Sequence, residues 1–180
     1  MPLLTCDKFE ISWTSNRVKS KLAMILVHGA GGRHIDWPKE LRHNRLVKTL
    51  SVDLPGHFKL QGDPCQTIEE MADVITCLVQ DQKLEKVVVV GHSMGGLIAQ
   101  EIGVRQPAWL DSLILLGTAP VMPVHPIILD NIYTDLDKTA DFITKYAWSG
   151  KGYGVVTGAV RKAVMENRPE TLHALSLIHI

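Results

Sequence analysis

Val87-Val88-Val89-Val90 runs directly into Gly91-His92-Ser93-Met94-Gly95, and a helical stretch from Met94 to about Arg105 follows, stopped before Pro107. Four valines without polar alternation suit a strand buried on both faces, as in a parallel sheet. A serine caught between such a strand and a helix sits on a sharp, strained turn that projects its hydroxyl from the sheet edge. The residues two places away on each side must then be small, because strand and helix backbones pass close together. Gly91 and Gly95 meet that need, and Gly96 adds room. The new helix aims its unpaired N–H groups at any negative charge that forms beside the serine.

The rest of the first two-thirds has the same punctuation. Phe9 to Thr14 alternates and reads as an early strand; Leu22 to Val27 is nearly all apolar and stops at His28-Gly29. Leu46 to Leu54 is a further strand candidate, ended by Pro55-Gly56, and Ser112 to Leu116 another, ended by Gly117. Thr67 to Gln82 is the clearest helix, with Ile68, Met71, Ile75, Leu78 and Val79 on one face and capping-box spacing from Thr67 to Glu70. Strands alternating with helices across short glycine-marked turns predict an α/β fold with a mostly parallel sheet and helices on both faces. From Pro120 the pattern changes. Pro120, Pro123 and Pro126 interrupt regular structure, and Asp141 to Trp148 and Val156 to Glu166 have helical spacing around Gly150, Gly152 and Gly154. The expected division is a core over 1–119 and a helical insertion over 120–174.

The chain has 180 residues, enough for one domain, with 19 basic and 19 acidic side chains. Zero net charge argues against a general nucleic-acid or polyanion binder. No apolar run approaches the roughly 18–20 residues of a membrane span, and Met1 to Asp7 has no basic region followed by an apolar stretch, so no secretory signal is expected. Cys6, Cys65 and Cys77 form no CxxC pair and leave an odd thiol, which suits a reducing, cytoplasmic location.

His28-Gly29-Ala30-Gly31-Gly32 follows the strand Leu22–Val27. A glycine-rich turn at a strand's C-terminal end can present backbone N–H groups to an oxyanion. The alternative, a phosphate loop, fits poorly: the spacing is neither G-x-G-x-x-G nor G-x-x-x-x-G-K-[ST]. No His, Cys and Asp cluster has metal-ligand spacing, so neither a metal nor an organic cofactor is implied.

With Val52-Asp53-Leu54-Pro55-Gly56-His57 between them, these two motifs make the chain resemble an α/β-hydrolase of the lipase and esterase type, from about Phe9 to Thr118. The resemblance implies Ser93 as nucleophile and the backbone N–H groups of Ala30 and Met94 as oxyanion hole, with Gly29, Gly91 and Gly95 giving the close approach. Phe58 departs from the family, which usually has glycine there; an altered loop shape is expected. The stretch after Pro120 resembles the family's cap. The implied substrate is a small ester-like molecule, cleaved through an acyl-enzyme. A ligand-binding or receptor-type protein on the same fold is the rival reading.

A serine nucleophile needs a histidine base oriented by a carboxylate, in the chain order serine, acid, histidine. The family carries these after strands beyond the cap, and the expectation is that both are absent from this chain. His125 reads as a cap or surface residue, His173 as a solvated one, and Asp111, Asp130, Asp135, Asp137 and Asp141 stand on no strand end. Leu175-Ser176-Leu177-Ile178-His179-Ile180 matches, at all six positions, the translated transposase end used in DNA library preparation. Residues 175–180 are therefore expected to be adapter read-through and are set aside from fold reasoning, and His179 is refused as a triad member. Without a following strand, Leu113–Leu116 would be an open apolar edge, so poor solubility and no esterase activity are expected of these 180 residues.

Overall fold

The computed structural model describes residues 1–60, 62–146 and 154–178. A hairpin of β1 (Leu3–Cys6) and β2 (Phe9–Ser15) leads to β3 (Leu22–Val27), a short 3₁₀ turn at His34–Asp36, α1 (Lys39–Arg42) and β4 (Lys48–Asp53). Then come α2 (Ile68–Asp81), β5 (Lys86–His92), α3 (Met94–Arg105) and β6 (Leu110–Leu116). The six strands form one sheet in the order β1-β2-β4-β3-β5-β6. β4, β3, β5 and β6 are mutually parallel, and the β1–β2 and β2–β4 pairs are antiparallel. This is the α/β-hydrolase type of sheet, mostly parallel with helices packed on it.

The central strands behave as their apolar runs predict. Ile25, Val27, Val87 and Val89 enter the main core with α2 and α3, while Leu26, Val90, Met24 and Val88 meet Trp37 and Leu41 on the other face. Each side chain fully buried in this way contributes on the order of 2 kcal/mol. The α2 cap is half of the expected box: Thr67 Oγ1 accepts from the Glu70 N–H, but the Glu70 carboxylate reaches back to the N–H of Gln66. At the far edge, β6 has no strand partner on its outer side among the described residues, and Ile114, Leu115 and Leu116 are 44%, 43% and 40% exposed.

Four departures from the sequence reading follow from tertiary structure. β1 was unforeseen; its four residues are too few to show a period. The cysteines are not all free thiols: Cys6 on β1 and Cys77 on α2 are joined, leaving Cys65 as the buried free one. After β6 come α4 (Pro126–Asn131), α5 (Leu136–Tyr146), α6 (Gly154–Met165) and α7 (Pro169–Ile178). α5 starts five residues before Asp141, while Trp148 and the expected turn at Gly150 and Gly152 lie outside the described residues. Finally, residues 175–178, set aside in reading the sequence, are helical. They continue α7, and Leu175 is fully buried in the main core.

Candidate active site

β3 and β5 run side by side, with Val27 opposite Gly91, so both glycine motifs leave the sheet at the same edge. Ser93 is the hinge between β5 and α3, at φ 53° and ψ −120°. A non-glycine residue there costs on the order of 1–3 kcal/mol and persists only where its surroundings enforce it. They do. The Ser93 N–H donates to Leu116 O (2.9 Å), and Ser93 O accepts from the Gly96 N–H (2.8 Å). A Cβ at Gly91 would overlap the Gly95 carbonyl, and one at Gly95 would overlap the carbonyl oxygen of Val27. At both glycines the close backbone approach leaves no room for a side chain.

The Gly29–Gly32 turn is closed by Gly32 N–H donating to Gly29 O (3.0 Å), with Gly31 at φ +71°. A Cβ on Gly29 would lie 3.0 Å from Ser93 Cβ, so the turn is pressed against the serine. Neither the Ala30 nor the Met94 N–H donates to any group among the described residues. Ser93 itself is half-buried.

Behind the turn lies a buried histidine cluster that motif reading had not assembled. His28 Nδ1–H donates to Gly29 O (2.8 Å), and its Nε2 accepts from the Leu54 N–H (3.1 Å). His57 Nδ1–H donates to Pro55 O (3.0 Å), whereas its buried Nε2 has no partner among the described residues. The two rings are 4.7 Å apart between centroids. Burial disfavours the charged form of both and lowers both from the ordinary histidine value, His57 to about 3. Next to them Asp53 accepts from the His34 ring (2.8 Å) and the His34 N–H (2.7 Å). Burial alone would raise this carboxyl, but the two hydrogen bonds outweigh it and hold Asp53 below its ordinary value. These groups brace the loops after β3 and β4, and none of them hydrogen-bonds Ser93.

The last two helices reach the same loops from the other side. Asn167, between α6 and α7, donates from Nδ2 to Gly31 O (2.7 Å) and Ala163 O (2.6 Å). Thr171 Oγ1 donates to Gly56 O (3.0 Å), and Arg33 pairs with Glu166 at 2.6 Å. His125 caps α4 and stacks near Phe142, and His173 lies near Tyr133. Asp111 pairs with Lys86, Asp135 caps the Lys138 N–H, and Asp137 and Asp141 bind Arg161. None of the carboxylates and histidines after Ser93 meets it among the described residues. The same residues hold no group of three or more His, Cys, Asp or Glu placed to bind a metal ion.

The model of the alpha/beta hydrolase family matches residues 24–176. The pimeloyl-[acyl-carrier protein] methyl ester esterase of Proteus mirabilis is 32% identical over 108 residues, which is 59% of this chain and 40% of that protein. An abhydrolase domain-containing protein, abhd-5.2, of Caenorhabditis elegans is 33% identical over 104 residues, 54% of this chain and 23% of its own length. The chain thus spans less than half of either relative. Among solved structures, a hydrolase from Pseudomonas aeruginosa PA01 superposes with a TM-score of 0.86 at 18% identity, covering 99% of this chain and 71% of that one. A thermophilic esterase superposes at 0.80 with 25% identity, covering 99% and 67%.

Proposed function

The chain belongs to the alpha/beta hydrolase family, and on that premise we propose that it derives from a serine hydrolase that cleaves a carboxylic ester through an acyl-enzyme. The observation that carries this reading is the strained Ser93 elbow beside two unpartnered N–H groups, those of Ala30 and Met94. Ser93 Oγ attacks the ester carbonyl carbon, and the oxyanion takes both N–H donors. Collapse of the adduct expels the alcohol and leaves an acyl-serine, which water hydrolyses. Removing one such donor typically slows the reaction about 100- to 1,000-fold. Ester-hydrolase names among the relatives support the reaction class. The substrate is a small ester-like molecule, roofed by the helical segment acting as a cap.

Ser93 still needs a base, and no residue of this chain is assigned as triad acid or histidine. The deciding experiment is on DNA: amplify the locus from unfragmented genomic template and sequence past codon 174. A frame that continues to an acid and then a histidine should encode an esterase, with p-nitrophenyl ester turnover lost in Ser93→Ala. An encoded Leu175–Ile180 followed by a stop would remove the enzyme reading and favour the ligand-binding one. A cytoplasmic location stays in the reading only if thiol counting finds Cys6 and Cys77 reduced in the cell. Among the described residues no helix is long and apolar enough to cross a membrane.

A further inference from the structure

At the opposite end of the strands from Ser93, the β2–β3 connection and the start of β4 line an open, shallow depression of about 610 Å³. Its lining is Arg17, Val18, Lys19, Ser20, Lys21 and Lys48. Six residues of β3, at about 3.3 Å each, place it roughly 20 Å from the serine. Four of the lining residues are cations and none is a carboxylate. Among the described residues none of the four takes part in an ion pair, although ten such pairs occur elsewhere. In a chain with equal numbers of acidic and basic side chains, that is a local imbalance with no partner of its own.

The backbone that carries these cations is held in place. Asn16 Nδ2 donates to Asn44 O (2.9 Å) and Val47 O (2.8 Å), while its Oδ1 accepts from the N–H groups of Val18 (3.2 Å) and Thr49 (3.0 Å). Ser20 Oγ accepts from the Leu22 N–H at 3.2 Å. Arg17 sits at φ +61°, a conformation that a free loop would leave. The backbone beneath the like charges is therefore fixed, and Val18 among them is half-buried.

We propose that this depression binds a phosphate-bearing anion, with Arg17 and Lys48 as its principal contacts and Lys19 and Lys21 closing over it. A phosphate accepts several charge-assisted hydrogen bonds at once and carries more than one charge. A single carboxylate would leave most of the four cations uncompensated. The phosphate belongs either to a soluble compound or to a lipid headgroup. Neither depends on Ser93.

The test uses the full chain fused to a soluble carrier, with the carrier alone as blank. It is titrated with inorganic pyrophosphate, and separately floated with vesicles of 30% phosphatidylglycerol in phosphatidylcholine. The expected result is saturable, salt-sensitive binding in one arm, weakened roughly tenfold for each cation removed in Arg17→Ala/Lys48→Ala. Pyrophosphate binding identifies a soluble ligand; binding to vesicles alone identifies a headgroup. Circular dichroism checks the fold, and Lys19→Gln/Lys21→Gln decides the matter if the first pair misfolds. No binding in either arm, or equal binding by the variants, overturns the proposal.

Discussion

The sheet half of the molecule and the helical segment after β6 are held by different means. The core of β1 to β6 with α2 and α3 contains most of the molecule's mutually packed buried side chains, a Cys6–Cys77 cross-link, and glycines whose Cβ positions are occupied by neighbouring backbone. The helical segment has a small cluster of its own, Ile132, Ala140, Val164 and Leu172, and docks through Leu175 in the main core, the Arg33–Glu166 ion pair and hydrogen bonds from Asn167 and Thr171 to the loops over the sheet. The Gly29–Gly32 turn is pressed between the two. Ser93 packs on Gly29 from one side, and Asn167 and Leu172 on Gly31 from the other. The sheet half should therefore fail when atoms are added, and the helical segment when one polar group is removed.

The largest effect is expected for Gly95→Val. The new side chain would overlap the Val27 carbonyl, so strand and helix must separate at the elbow. A loss of at least about 4 kcal/mol is expected, enough to unfold the chain. Far-UV circular dichroism and urea unfolding of the refolded variant check it; a folded Gly95→Val protein would contradict the elbow geometry. Next comes reduction of Cys6–Cys77, which closes a loop with a sequence separation of 71. Chain entropy assigns such a cross-link about 4 kcal/mol, so reductant should lower the urea midpoint clearly. Thiol titration in denaturant should find one reactive group in the untreated protein, that of Cys65.

A smaller, localised effect is expected for Asn167→Leu. Two hydrogen bonds, to Gly31 O and Ala163 O, disappear, costing about 2 kcal/mol together. The more telling measurement is hydrogen exchange by mass spectrometry. Amides of residues 29–32 and of α7 should exchange faster while those of β5 stay protected. Uniform loosening of both halves would mean that the two are not separately held.

What could be read from residue order divides along the same line. The β5–Ser93–α3 unit was legible because strand, turn and helix are contiguous, and each needs a residue type that stands out: four valines, flanking glycines, a stop before Pro107. The α2 helix was legible from its apolar face. The Cys6–Cys77 bond was not, because it depends on a hairpin of two short strands laid beside α2. Nor was Asn167, which reaches a carbonyl 136 positions away. Its signal was only that of a polar residue between two helices. The histidine cluster lies between. His28 and His57 were both visible inside motifs, but their mutual contact requires the parallel register of β3 and β4.

That cluster supplies the mildest test of how the two loops are braced. His57 has its pKa lowered from 6.5 to about 3 by burial, so the folded chain binds its proton less readily than the unfolded one. The stability tied to neutral His57 is complete above about pH 6.5 and is lost as pH falls toward 3, at about 1.4 kcal/mol per unit. His28, also lowered by burial, adds to the same slope. Asp53, lowered by its hydrogen bonds from His34, acts only further down, as pH falls below its ordinary value near 3.8. His57→Phe keeps an aromatic ring beside His28 and removes both the titrating group and the unpartnered Nε2. Urea midpoints measured from pH 7.5 to pH 4.5 should decline less steeply in this variant than in the parent. Equal slopes would show that His57 is protonated without cost, and therefore that the loops after β3 and β4 open below pH 6 without the sheet unfolding.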